Sequence, residues 1–210
     1  MNAPSKPPIV SRRDTATANL GDGSQVGLRP VTADDKPLLL DGFARLSTRA
    51  RYLRFLTPAE RLSAGQLAYL SEIDHHDHVA WGVLDGDEAA AVGRWVRLDD
   101  EPSAAEVAVT VLDDCQRRGI GRMLLQVLGV SARARGVGVF HFDVLAENEA
   151  MLGLLRSLGA VGTGQNGVVH HVLDVSRVAP PDMVDGDLLG LLETARRNAA
   201  SSVSPDPIPD

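Results

Sequence analysis

The sequence predicts an α+β domain built on one mixed, mostly antiparallel sheet of about six to seven strands with helices on both faces. Three observations carry this expectation. The hydrophobic period alternates between 2 and about 3.6 along the chain, hairpin signals join several strands, and two helices intervene where strands need crossover connections. With 210 residues, 44% of them hydrophobic and 23% charged, the chain has the length and apolar content of one ordinary domain.

Residues 1–24 carry Pro4, Pro7 and Pro8 among scattered Ser, Thr and Asp, and read as a flexible N-terminal arm. Residues 25–31 alternate as a strand. Thr32 offers an N-cap, with Asp34 and Asp35 in the first turn of a helix running to about residue 46; Pro37 falls early enough to be tolerated. A loop segment over 51–56 precedes a second helix over 63–73. Residues 78–84 and 89–98 are apolar runs joined through Asp85-Gly86-Asp87, and 105–112 adds a Val-rich third strand to this antiparallel meander. A glycine-bearing loop, a helix over 119–135, a strand over 137–145, a helix over 147–158 stopped by Gly159 and a strand over 168–175 complete a core domain of 25–175. In the tail, 176–210, apolar residues between Asp187 and Arg197 recur at helical spacing and predict a short helix.

Twenty-eight acidic against 21 basic residues give a net charge of −7, which disfavours nucleic-acid partners and suits cationic ones. No apolar run approaches the roughly 20 residues of a membrane span, and the N-terminus lacks a signal-peptide core. The single cysteine, Cys115, cannot form an intramolecular disulfide. A cytoplasmic protein with no membrane partner is expected.

Residues 109–122 hold the strongest chemical signal: a strand runs into a basic, glycine-bearing turn that opens a helix. First-turn amides of a helix lack internal partners and carry the positive end of its dipole, so they suit a pyrophosphate. Gly119 and Gly121 allow close backbone approach, and Arg117, Arg118 and Arg122 add charge.

The run Gln116-Arg-Arg-Gly-Ile-Gly resembles the Gln/Arg-x-x-Gly-x-Gly/Ala signature of the GNAT superfamily of acyl-CoA-dependent N-acetyltransferases, and the likeness extends over about residues 25–175. The resemblance implies acetyl-CoA as cosubstrate and no metal. It implies that the backbone of Val109, Thr110 and Val111 hydrogen-bonds the pantetheine arm. Gln116, Arg117, Arg118, Gly119, Ile120, Gly121 and Arg122 would form the pyrophosphate loop, and Asn148 would approach CoA beside splayed strands. Asn148 is equally a preferred helix cap. The segments 51–56, 74–80 and 105–109 are similar to the catalytic domain of bacterial protein lysine acetyltransferases, in which a glutamate at the position of Glu106 is the general base. An acceptor lysine, with a pKa of about 10.4, must lose a proton before it attacks. Burial of Glu106 on its apolar strand would raise its pKa toward a useful range.

Two departures stand out. Many members carry a tyrosine as general acid on the last crossover helix, where this chain has Leu155. Some resembling acetyltransferases also carry a cyclic-nucleotide-binding domain, which the residues before the first strand are too few to hold. The amine acceptor is expected to be a lysine-bearing protein; a small-molecule amine, or a non-catalytic acyl-CoA-binding role, are the alternatives. A homodimer is compatible with the edge strands but no feature demands one.

Other signals are discounted. Residues 74–78, Asp-His-His-Asp-His, read as a polar turn or acceptor-cleft lining, since adjacent side chains diverge rather than converge on a metal. Cys115 lacks an evident base, and His170 and His171 are expected one on each face of the last strand. Gly119-x-Gly121 with Asp143 imitates a dinucleotide fingerprint but lacks its third glycine.

Overall fold

The computed structural model describes residues 15–202; the expected arm up to residue 14 lies outside the described residues. The strands are β1 (Ala16–Asn19), β2 (Gln25–Pro30), β3 (His78–Asp85), β4 (Glu88–Arg97), β5 (Ala104–Val111), β6 (Val139–Leu145), β7 (Val161–Gln165), β8 (Val168–Asp174) and β9 (Met183–Asp185). The helices are α1 (Lys36–Arg45), α2 (Thr48–Phe55), α3 (Ala64–Ser71), α4 (Ile120–Arg133), α5 (Glu149–Ser157) and α6 (Leu188–Ser202). Among the described residues the strands form one nine-stranded sheet in the order β7-β8-β6-β5-β4-β3-β2-β1-β9, more strands than the expected six to seven. Among the described strands only β5 and β6 pair in parallel. The mixed, mostly antiparallel α+β architecture is as read from the sequence.

The added strands sit at the two ends of the sheet. Residues read as arm and tail supply β1 and β9, which pair with each other. Alternate burial of Ala16 and Ala18 shows that β1 has an inner face, but small side chains make a weak strand signal. Strand β7, Val-Gly-Thr-Gly-Gln, is exposed throughout and has no apolar alternation. It is held by a hairpin to β8 through Asn166 and Gly167, both with positive φ, a turn pair the sequence displays openly. Helix α2 replaces an expected loop: Ser47 caps it by accepting from Ala50 N at 3.1 Å, and it buries no residue fully, so no apolar stripe announced it.

Helix α1, with α3 packed on it, meets the sheet on one face and α4 on the other, where α6 packs against α4 and Leu155 of α5 joins the α4 core. Strand alternation decides which side chain meets which layer. In β4, Trp95 faces α4 and its indole Nε1 donates to Ser131 Oγ at 3.0 Å. Gly93, on the same face, leaves the space that Leu124 and Leu128 fill: a Cβ there would lie 3.2 Å from Leu128. Leu124, Leu125 and Leu128 are fully buried. Each such leucine contributes about 2 kcal/mol of burial, which fixes the long amphipathic helix across the sheet centre. In β6, Phe140 and Phe142 join this core while His141 and Asp143 point the other way. Among the described residues no helix is long and apolar enough to cross a membrane.

The register between β5 and β6 positions the site. Ala104, Ala105 and Glu106 pair with Val139, Phe140 and His141, and the pairing then stops although both strands continue. Beyond that rung β5 stays with β4 as far as Val111, and β6 stays with β8 as far as Leu145. The two strands part, and one edge of each is left without a strand partner.

Candidate active site

The opening between β5 and β6 leads into a cavity of about 890 Å³. Of the twelve residues singled out from sequence, ten line it: Val109, Thr110 and Val111 from β5, Gln116, Arg117, Gly119, Ile120, Gly121 and Arg122 from the loop and α4, and Asn148 before α5. Arg118 and Glu106 do not. Helix α2, missed in the sequence, walls the opposite side with Ser47, Arg49, Leu53 and Arg54. Ser47 is tied to the loop before α4 through Asp113, and Arg49 Nη2 donates to Glu147 O at 3.4 Å across the groove.

The loop is bent by two residues in the left-handed region, Arg117 (φ 63°) and Gly119 (φ 93°). Gly119 is the N-cap of α4 and brings no side-chain cap. The first intrahelical bond runs from Met123 N to Gly119 O, so the amides of Ile120, Gly121 and Arg122 have no helical acceptor. No acidic residue stands in this first turn. A Cβ at Gly121 would meet Leu154 at 3.6 Å and Val111 at 3.8 Å, ordinary contact distances, so the fold itself does not require glycine there. The space belongs to the groove. Uncapped amides, a missing side chain and the cations of Arg49, Arg54, Arg117 and Arg122 fit an extended, multiply phosphorylated ligand, despite the net negative charge of the chain.

Arg118, expected in the phosphate loop, directs its side chain away from the cavity. Its guanidinium turns back to Asp85 at the β3–β4 hairpin, to Ser24 Oγ at 3.0 Å and to Asp22 at 3.4 Å, so it anchors the loop to the hairpins behind. The Ser24 hydroxyl and amide, with Arg118, hold Asp22 below the usual carboxylate range.

Glu106 is exposed rather than buried, because alternation turns Val107 into the α4 core and Glu106 to the opposite face. It stands on the last paired rung, where the strands begin to part. Asn148 caps α5, its Oδ1 accepting from Met151 N at 3.2 Å, while also lining the groove. Leu155 is fully buried in the main core, and α5 turns Met151 and Leu154 to the groove instead. No proton donor comes from that position.

Asp74 Oδ1 accepts from the amides of His76, Asp77 and His78, making 74–78 a tight polar turn, and none of its residues lines the cavity. His78 is pushed down to about 4 by burial and by Arg94, whose Nη1 lies 3.1 Å from its Nε2. Burial, with Arg54 beside it, lowers Arg94 to about 9. Burial and Asp114 raise the Cys115 thiol, the opposite of an activated nucleophile. His171 is buried and His170 exposed, on opposite faces of β8. Among the described residues no group of three or more His, Cys, Asp or Glu is arranged to hold a metal ion.

Residues 43–160 match the Acetyltransferase (GNAT) family. Acetyltransferase Pat of Mycolicibacterium smegmatis is 37% identical over 182 residues, which cover 84% of this chain and 54% of that protein, so the chain spans about half of that relative's length. An acetyltransferase of Pseudomonas aeruginosa is 32% identical over 148 residues, 69% of this chain and 79% of that protein. The crystal structure of the GNAT domain of S. lividans PAT superposes with a TM-score of 0.73 at 30% identity, covering 78% of this chain and 98% of the domain. A parted pair of parallel strands, an uncapped helix beside it and these likenesses lead to one conclusion: the chain belongs to the GNAT acetyltransferase family.

Proposed function

We propose that the chain is an acetyl-CoA-dependent N-acetyltransferase that acetylates a primary amine, foremost a lysine side chain of a protein, by direct transfer with Glu106 as general base. The observation that carries this reading is the parting of β5 and β6 immediately after the Glu106 rung, with the uncapped N-terminus of α4 at the other end of the cavity. Bound acetyl-CoA supplies an activated acetyl thioester. The free edge of β5 at Val109 to Val111 holds the amide-bearing arm as an added strand would, and the α4 amides with Arg117 and Arg122 hold the pyrophosphate. On this reading the thioester carbon lies toward the rung where Glu106 stands, and such positioning supplies much of the rate.

Glu106 takes the proton from the acceptor ammonium, directly or through one water. Arg54 of α2 lies near enough to Glu106 for the two charges to interact, which ties the groove-lining helix to the base. With no acid on α5 facing the groove, water protonates the departing thiolate, a tolerable leaving group because thiols ionise near about 8.5. The negative charge of the whole chain favours encounter with cationic acceptors. The test is Glu106→Gln, assayed with lysine-bearing proteins and with free amines. The expected outcome is a kcat loss of about 10² to 10⁴-fold with acetyl-CoA affinity retained. Wild-type turnover in the variant removes Glu106 from the mechanism, and tight acetyl-CoA binding without turnover on any amine by the native chain points to a sensor instead. Faster turnover of free amines than of proteins shifts the acceptor class.

A further inference from the structure

Glu106 and His141 stand opposite each other on the last rung between β5 and β6, both on the face away from α4. From His141 a chain of groups runs outward. His141 Nδ1 lies 3.1 Å from His170 Nε2, and His170 Nδ1 lies 2.8 Å from Asp143 Oδ1. An ionised carboxylate only accepts, so with both rings neutral Asp143 fixes the His170 proton on Nδ1. His170 Nε2 must then accept, which fixes the His141 proton on Nδ1 as well. One lone pair remains, on His141 Nε2. That atom is buried without a hydrogen-bond partner, a costly state for a polar atom, and the Glu101 carboxylate waits 3.7 Å away.

We infer that His141, held by His170 and Asp143, is a positioning residue that relays the proton Glu106 removes from the acceptor amine; the inference rests on the reading of Glu106 as base. The acceptor ammonium gives its proton to the Glu106 carboxylate, leaving the neutral amine to attack. The resulting carboxylic acid passes that proton to His141 Nε2, restoring the carboxylate. Glu106 and His141 are cross-strand partners on one face of the sheet, so their side chains are neighbours. The new imidazolium, with His170 accepting at Nδ1, gives its Nε2 proton to the exposed Glu101 carboxylate 3.7 Å away, and solvent takes it from there. The charged groups facing the relay are Glu101 before β5, Glu106 on β5, Asp143 on β6 and His170 on β8, with Arg54 of α2 acting on Glu106. The β7 residue paired with His170 is the neutral Thr163. The same three-part logic, a carboxylate orienting an imidazole that orients a base, underlies other proton-transfer sites.

Two readouts test this. Long-range ¹⁵N NMR of the unliganded chain is expected to find His141 and His170 both as the Nδ1–H tautomer, and Asp143→Leu is expected to abolish that preference; Nε2–H tautomers in the native chain overturn the relay. In turnover, His141→Ala and His170→Ala are each expected to lower kcat about tenfold with acetyl-CoA affinity unchanged, and added imidazole is expected to restore most of the loss in His141→Ala. Unchanged kcat in both variants, with Glu106→Gln still impaired, overturns the relay and leaves the base intact. Unchanged kcat in Glu106→Gln defeats the base itself, and the relay with it.

Discussion

Arg29 on β2 and Asp35 at the N-cap of α1 form a two-point ion pair sealed between sheet and helix, each side chain 9% exposed. Arg29 Nη1 donates to Asp35 Oδ2 at 2.7 Å and Nη2 to Oδ1, while the same Oδ2 accepts from the Thr32 amide at 2.7 Å. One carboxylate therefore ties the start of α1 to the sheet. Asp35→Ala strands the guanidinium in a buried site and is expected to cost about 3 to 5 kcal/mol. The double variant Arg29→Met with Asp35→Leu is expected to recover most of that, because desolvation offsets much of a buried pair's attraction. Urea unfolding of the three proteins decides it; equal midpoints for the native chain and Asp35→Ala defeat the argument.

Gly121 offers a test in which stability and binding move in opposite directions. A methyl group at this helical position meets the protein only at 3.6 Å and beyond, so Gly121→Ala is expected to fold and to gain up to about 1 kcal/mol from helix propensity. The same methyl projects into the groove beside the free α4 amides. Acetyl-CoA affinity by calorimetry is expected to fall about tenfold, roughly 1.4 kcal/mol. Affinity unchanged in a stabilised variant removes the first turn of α4 from the binding surface.

Most of the groove was legible in the sequence because it is made of backbone and of turn chemistry. Glycines and a basic run at a strand-to-helix junction state where amides are free, and Arg117, Gly119, Gly121 and Arg122, read that way, line the cavity, as do Val109, Thr110, Val111, Gln116, Ile120 and Asn148, which the family resemblance implied. The rest depends on side-chain direction. Arg118 looks like its neighbours in the sequence, yet acids distant in the chain, Asp22 and Asp85, draw it backward. Apolar neighbours suggested a buried Glu106, but alternation buries Val107 and leaves Glu106 exposed. Helix α2 lacks a buried stripe, and β7 lacks alternation, so neither carries the periodic signal by which elements are found. His141 and His170 acquire meaning only through the β6–β8 register that sets them side by side.

His75 predicts how the fold responds to acid. It is buried, takes φ 58°, leaves Nδ1 without a partner, and burial lowers its pKa to about 4. The unfolded chain, with an imidazole pKa of about 6.5, binds the proton first. Stability is therefore full above about 6.5 and is lost as pH falls from about 6.5 toward about 4, on the order of 3 kcal/mol for this one group. Asparagine tolerates the left-handed conformation and does not titrate, so His75→Asn is expected to flatten that decline. Melting temperatures at pH 7 and pH 5 for both proteins check the sign; an identical acid slope excludes His75 as the cause.

The loop arginines should separate by direction rather than by sequence proximity. Arg122 lines the cavity and steadies itself on Ser157 Oγ at 2.6 Å, so its charge is held beside the free α4 amides. Arg118 is committed to Asp85, Asp22 and Ser24 behind the loop. Arg122→Ala is expected to weaken acetyl-CoA about tenfold, the size of one charge-assisted hydrogen bond, and to leave an acetylated pantetheine lacking phosphates unaffected. Arg118→Ala is expected to change the affinity for both ligands alike and only about twofold, since it loosens the loop without removing a phosphate contact. Raising salt should then weaken acetyl-CoA binding in the native chain and in Arg118→Ala, and less steeply in Arg122→Ala, because screening acts on the charge that faces the ligand. A phosphate-specific loss in Arg118→Ala, with none in Arg122→Ala, reverses the assignment and returns Arg118 to the groove.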